Sequence, residues 1–393
     1  MNLRNKFNQQ IEKIAVSDIR QFDTEVSAIP GIIKLTLGEP DFNTPEHIKQ
    51  AAIQAIENNE SHYTPNPGIM PLRKAIANYF NQKYHLNYQP EQTIATIGAT
   101  QAINASLQTI LNPGDTVLIP TPVFPIYMPI TNLNHADYLT IDTSADGFIL
   151  TPEKLSEVLA ANQDKNIKAL VLVYPSNPTG VTYSKQQLQA LAAVLKKAGI
   201  WVICDEIYAE LTYTTTHTSL AQFLPEQAIV ISGLSKSHAM TGWRMGFILG
   251  PHDFINQAIK AHQYMVTATT NNVQFAAVEA LENGQNDSQI MLDEYLKRRN
   301  FMQNALIQAG FEVANPDGAF YLFAKIPAKF GKDSWKFVRE LAQNARVALI
   351  PGVSFGPGGE GYVRLSYAAS MQDLQEAARR IQEYVNKAQG GHE

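Results

Sequence analysis

Six short apolar runs, most of them separated by enough chain for a helix, constrain this chain more than any other feature. They are TIATIG (from Thr93), DTVLIP (from Asp115), KALVLVYP (from Lys168), IWVICDE (from Ile200), AIVISG (from Ala228) and GFILG (from Gly246). Between most of them lie stretches such as TQAINASLQTIL and SKQQLQALAAVLKKAG, with apolar residues at helical spacing. Near-continuous apolar strands alternating with helices specify an α/β fold with a mainly parallel sheet covered on both faces. After about residue 285 the pattern changes. A long charged helix, SQIMLDEYLKRRNFMQNALIQAG, leads into the more widely spaced strands FEVA, AFYLFAKI, VALI and YVRLSYA. That reads as a smaller α+β unit. The expected division is a large unit over residues 46–284 and a discontinuous small unit formed by 1–45 and 285–393.

At 393 residues the chain is long enough for two such units. Its net charge is −5 and acidic and basic residues are mixed, so no basic field points to nucleic acid. A single cysteine, Cys204, excludes an intramolecular disulfide and a paired-cysteine zinc site, and no metal is expected. The start, MNLRNKFNQQIEKI, lacks the apolar centre of a signal peptide. No uncharged apolar run reaches membrane-spanning length. The expectation is a cytoplasmic protein without a membrane partner.

Open parallel sheets bind ligands beyond the C-terminal ends of their strands, and several polar residues fall there. Asp205 lies at the strand end in IWVICDE, with Tyr208 three residues on. Asn177 follows VLVYP in a Pro-Thr-Gly turn. TIG ends at Gly98 and opens a helix near Ala99 and Thr100, whose free N–H groups suit a phosphate. Lys236 follows ISG, and Arg244 comes eight positions later. Taken alone, each has an ordinary explanation. Asp205 is as easily a helix cap, SNPTG only a turn, Lys236 a solvated lysine and Arg244 a surface ion pair. Their joint placement at successive strand ends carries the functional reading. GLSKS resembles the end of a nucleotide-binding P-loop, but Ser235 stands where that motif requires glycine.

The segment from Gly233 to Gly246 resembles the lysine-attachment signature of class I pyridoxal-phosphate aminotransferases, of fold type I. The resemblance spans nearly the whole chain: LTLGEPDFNTP, YTPNPGIMPLR, GATQAI, PSNPTGV, DEIYAEL, SKSHAMTGWRMGF and GYVRLSYA occur in family order. The wording of LSKSHAMTGWR and EGYVRLSYAAS is similar to the bacterial aromatic and N-acetyl-LL-diaminopimelate aminotransferases. The resemblance implies a seven-stranded large sheet, pyridoxal 5'-phosphate as cofactor, amino-acid and 2-oxo-acid substrates, and a homodimer with shared active sites.

It also implies roles. Lys236 forms the Schiff base with the cofactor and then acts as acid and base at the substrate Cα. Asp205 keeps the pyridine nitrogen protonated, so the ring accepts electrons. Asn177 and Tyr208 bind the ring's phenolic oxygen. Arg244, Ala99, Thr100 and Ser235 hold the phosphate, joined by Tyr63 from the neighbouring subunit. Phe124 stacks on the ring, the alternative being a core position. Small residues near Lys236 let the cofactor approach the backbone. Arg364 grips the substrate carboxylate with help from the backbone of Gly38 and from Asn177, and closes the small unit. Apart from the resemblance, SDIRQF offers two candidates for substrate choice, Phe22 as an apolar wall and Arg20 as a distal carboxylate partner. The reaction implied is a ping-pong amino transfer, with 2-oxoglutarate as the acceptor. The same scaffold also serves β-lyases acting on sulfur amino acids. Regulatory relatives carry an added DNA-binding domain, for which this chain has no basic helix.

Overall fold

The computed structural model describes residues 6–387. The first five and last six residues, part of the start read as lacking a signal peptide and of the outer ends of the expected small unit, lie outside the described residues.

Seven strands build the large sheet: β1 (Thr93–Ile97), β2 (Thr116–Thr121), β3 (Asp137–Asp142), β4 (Ile167–Val173), β5 (Trp201–Asp205), β6 (Ala228–Gly233) and β7 (Met245–Leu249). Their order is β1-β7-β6-β5-β4-β2-β3. All pairs are parallel except those of β7, which runs against both its neighbours. The six apolar runs are six of these strands. The seventh, DYLTID, lies at the sheet edge and is largely exposed. It therefore lacks the apolar run that marks the central strands.

Successive residues of the central strands feed two cores, one on each face. Leu170, Leu172, Val202, Cys204 and Val230 pack into one. Ala169, Val171, Ile203, Ile229 and Ile231 pack into the other. Helices cover both faces, which is why these strands carry almost no polar residue. The helix Lys185–Ala198 shows local sequence setting an element's ends. Ser184 and Gln187 form a reciprocal capping box at its start, and Gly199, at φ +66°, ends it.

A third core surrounds a four-stranded antiparallel sheet ordered Ile350–Pro351, Tyr362–Ser366, Tyr321–Lys325, Glu312–Val313. Phe22, Val26 and Leu35 belong to this core. Beside it, Ile33–Lys34 pairs in parallel with Val347–Ala348. No helix among the described residues is long and apolar enough to cross a membrane.

The reversal of β7 organises the large sheet. It brings the start of β7 to the edge where β1, β4, β5 and β6 end. The register sets Ile97 opposite Met245 and Gly233 opposite Gly246. Glycine is required at position 246, because an added Cβ would run into the backbone of Gly98 and Ala99.

Candidate functional site

After β6 the chain makes one helical turn, Leu234–Ser237, which carries Lys236. The Lys236 Nζ donates to the carbonyl of Gly38. It lies 5.8 Å from the ring centroids of both Tyr208 and Phe320. Burial, above all, lowers its pKa to about 8. Arg244 and Arg364 push the same way, while Glu39 and Asp205 oppose them. A lysine so placed is neutral near pH 7 far more often than an ordinary lysine, which a nucleophilic amine needs.

Asp205, at the end of β5, is 4 % exposed. Its carboxylate accepts from the Tyr127 hydroxyl at 2.7 Å and from the Ile207 backbone N–H at 3.2 Å. Burial raises its pKa to about 6; the Tyr127 bond and the charge of Lys236 oppose that rise. The carboxylate is thus poised for a cationic partner.

Arg244 immediately precedes β7 and takes φ +56°, a left-handed conformation uncommon outside glycine. Its Nη1 donates to the Thr241 carbonyl at 2.9 Å. The guanidinium lies against Gly98, itself at φ +71°, where any Cβ would collide with it. Gly98 opens the helix Gly98–Ile110, whose N-cap residue Ile97 supplies no side-chain bond. Ala99 is half-buried in this first turn and Thr100 is exposed. A fixed cation, free helical N–H groups and a backbone without side chain form one cradle for an anion. Ser235 is buried on the turn that carries Lys236.

Arg364 sits on the antiparallel sheet, paired with Phe323 in register, and is 2 % exposed. It donates to the Asn177 side-chain oxygen at 3.0 Å and to the Thr36 carbonyl at 2.5 Å. Its ring contacts are Tyr321 at 4.7 Å and Phe355 at 5.0 Å. Its Nε has no hydrogen-bond partner among the described residues. No carboxylate of the described residues offsets this buried cation, which marks it for an anionic ligand. Asn177 thereby links the turn after β4 to the other sheet.

The structure brings Lys236, Asp205, Asn177, Tyr208, Gly38 and Arg364 into one connected set. One expectation needs correction. Phe22 is buried in the third core, edge-on to Trp335 at 5.5 Å, and is no substrate wall. Gly38 meets the site through its carbonyl, bonded to Lys236. Gly233 and Gly246 allow close approach of strands, and Gly242 faces open space. Phe124 is 39 % exposed rather than a core residue. Tyr63 is 92 % exposed, turned outward from its own chain. Arg20 is exposed on the helix Asp18–Val26.

Three residues escaped the sequence reading. Tyr127 opens the short helix Tyr127–Leu133, and its partner Asp205 is far along the chain. Tyr321 opens a strand of the antiparallel sheet and Phe320 immediately precedes it, and nothing local marks them. The Tyr321 hydroxyl lies 2.7 Å from that of Tyr208.

The model for "Aminotransferase class I and II" matches residues 30–381. The chain is 46 % identical over 381 residues to a probable N-acetyl-LL-diaminopimelate aminotransferase of Bacillus subtilis, covering 97 % of this chain and 96 % of that one. It is 36 % identical to an aspartate aminotransferase of Pyrococcus horikoshii, covering 95 % of this chain and 96 % of the relative. The crystal structure of an aromatic aminotransferase from Pyrococcus horikoshii superposes with a TM-score of 0.87 at 34 % identity, over 93 % of this chain and 99 % of that one.

Proposed function

Because the chain belongs to the family of class I and II aminotransferases, an enzyme family generally dependent on pyridoxal phosphate, we propose that it moves the amino group of an L-amino acid to a 2-oxo acid with that cofactor bound at Lys236. The donor is N-acetyl-LL-diaminopimelate or an aromatic amino acid, and the acceptor is 2-oxoglutarate. The observation that carries this is the single connected set of a half-buried amine with a lowered pKa, a buried carboxylate and a buried guanidinium without counter-charge among the described residues.

The residues present fit the cofactor. The cradle of Arg244, Gly98, Ala99 and Thr100 suits a dianionic phosphate, with Ser235 beside it. When bound, the cofactor supplies an electron sink for the pair left behind as the substrate Cα–H bond breaks. Lys236 takes that proton and returns it on the other side of the transfer. Asp205 holds the ring nitrogen's proton, and Tyr127 holds Asp205. Asn177 and Tyr208 donate to the ring oxygen, and Phe124 covers the ring. Arg364 binds the substrate carboxylate through a planar fork, with the Gly38 backbone and Asn177 beside it. Residues 46–284 form the cofactor-binding unit, and 1–45 with 285–393 form the unit that closes on it. The exposure of Tyr63 supports a second copy of the chain completing the phosphate site, in a cytoplasmic homodimer. Nucleic acid and membrane take no part.

Loss of the Tyr127 hydroxyl tests the support of Asp205. Tyr127→Phe removes a donor to the charged carboxylate, so the pKa of Asp205 rises further. The acid limb of kcat/KM is expected to move to higher pH and kcat to fall about tenfold, the usual worth of a bond to a charged group. An unchanged pH profile would show that Tyr127 only fills space.

The function itself is tested by adding single amino acids to the purified holoenzyme and following its visible absorption. Bleaching by N-acetyl-LL-diaminopimelate or by phenylalanine, reversed by 2-oxoglutarate, supports the reading and names the donor. Pyruvate and thiol release from cystathionine without any oxo acid would replace it with a β-lyase.

A further inference from the structure

Tyr321 stands where three proposed site residues meet, yet none of the roles above uses it. It is fully buried and opens the strand Tyr321–Lys325, opposite Ser366. Its hydroxyl lies 2.7 Å from the Tyr208 hydroxyl, with the two rings edge-on at 5.7 Å. The Arg364 guanidinium carbon sits 4.7 Å from the centre of its ring. On the remaining side its hydroxyl occupies the space that a Gly38 side chain would need. Ring, hydroxyl and edge are therefore all fixed, and the hydroxyl has Tyr208 as its hydrogen-bond partner among the described residues.

Two phenols sharing one hydrogen bond own two protons, and the bond consumes only one. If Tyr208 donates, the remaining proton belongs to Tyr321 and none is left on Tyr208 for a ligand. If Tyr321 donates, the Tyr208 proton is free to point into the site. The surroundings favour the second arrangement. The Arg364 cation against the Tyr321 ring makes that phenol the more acidic of the two. Burial raises the pKa of both, and Arg364 opposes the rise at each; in Tyr208, Tyr321 and Asp205 add to it. The charged groups facing the pair are thus Arg364, Lys236 and Asp205.

We propose that Tyr321 is a positioning residue that donates its proton to Tyr208, aims the Tyr208 hydroxyl at the cofactor's ring oxygen, and ties that bond to the guanidinium that receives the substrate carboxylate. The proposal rests on the reading of Tyr208 as a donor to that oxygen. A phenol that is itself accepting a hydrogen bond is a stronger donor. Tyr321 therefore strengthens the Tyr208 bond without touching the cofactor. It also carries the electrostatic state of Arg364 to the ring. Neutralising Arg364 with a carboxylate weakens Tyr321 as a donor, and Tyr208 in turn.

The test uses the holoenzyme loaded with pyridoxal phosphate and reads the pH midpoint of its visible absorption change. Tyr208→Phe removes a bond that stabilises the oxygen's negative charge, so the midpoint rises. Tyr321→Phe is expected to raise it as well, by about half a pH unit, less than Tyr208→Phe and of the order of one neutral hydrogen bond. The double variant is expected to match Tyr208→Phe alone, because Tyr321 acts through Tyr208. Installing 3,5-difluorotyrosine at 321, which keeps ring and hydroxyl and makes a stronger acid, should lower the midpoint. That variant also answers the question if Tyr321→Phe folds poorly. A midpoint unmoved by either change at 321, while Tyr208→Phe moves it, would leave Tyr321 as packing. Full additivity in the double variant would also overturn the relay. If Tyr208→Phe itself leaves the midpoint in place, the reading of Tyr208 fails first and the relay falls with it.

Discussion

Lys236→Ala is expected to lose about four orders of magnitude in kcat, the upper range for one acid–base group, together with the absorption that reports covalent attachment. The two losses have different origins and are measured separately. Attachment needs the amine as a nucleophile, and proton transfer needs it as a base. Methylamine added to the variant should restore part of the turnover by supplying a base, without restoring attachment to the chain. A variant that retained turnover within tenfold of the parent would remove Lys236 from the chemistry.

The same lysine predicts an effect in the cofactor-free protein. Its folded pKa of about 8 lies below the ordinary value of 10.5, with burial the largest cause. Between those values the unfolded chain binds more protons than the folded one, so stability rises with pH across this window. The contribution is complete above the unfolded value and is lost as pH falls through the folded one. Lys236→Met should flatten this part of the profile, as followed by urea unfolding at pH 7.5 and pH 10. An identical slope in both proteins would place the amine in water.

The second large effect belongs to Arg364. Arg364→Ala is expected to lower kcat/KM by about 10²- to 10³-fold, the scale for removing one partner of a desolvated charge pair. The loss should be similar for every amino acid and 2-oxo acid carrying an α-carboxylate. Arg364→Lys should recover little of it, because an ammonium cannot offer the planar fork that already spans Asn177 and Thr36. A loss confined to one donor would move Arg364 from the shared carboxylate to a side-chain pocket.

The residues that sequence pattern exposed are those whose neighbours in the chain explain them. Central strands buried on both faces must be apolar throughout, so β4, β5 and β6 are visible as Val, Ile and Leu runs. Asp205, Lys236 and Asn177 are visible because each is polar and lies within a few residues of the end of such a run. The edge strand β3 is not, because one exposed side relaxes that requirement. Strand direction is not visible either. The runs before and after Lys236 look alike, although β7 is reversed and so places Arg244 beside Gly98. Tyr127 and Tyr321 act through partners distant in sequence, and a tyrosine among apolar residues has no local mark of a hydrogen-bonding role. Phe22 misled for the reverse reason. Its segment lies near the expected site in family order, but its ring is spent on Trp335.

The reversed strand has a further consequence. Lys236 stands three residues beyond Gly233 and Arg244 two residues before Gly246, and those glycines face each other across a paired ladder. The span between amine and guanidinium is therefore gauged by hydrogen bonds within the sheet, not by the seven-residue connection 237–243. The two groups work as the jaws of a caliper cut from one rigid piece. Thermal motion of the connection leaves the gauge untouched, and a register slip of even one residue would turn one jaw to the opposite face. A molecule with its carbonyl and its anion at the wrong separation would be gripped at one end only.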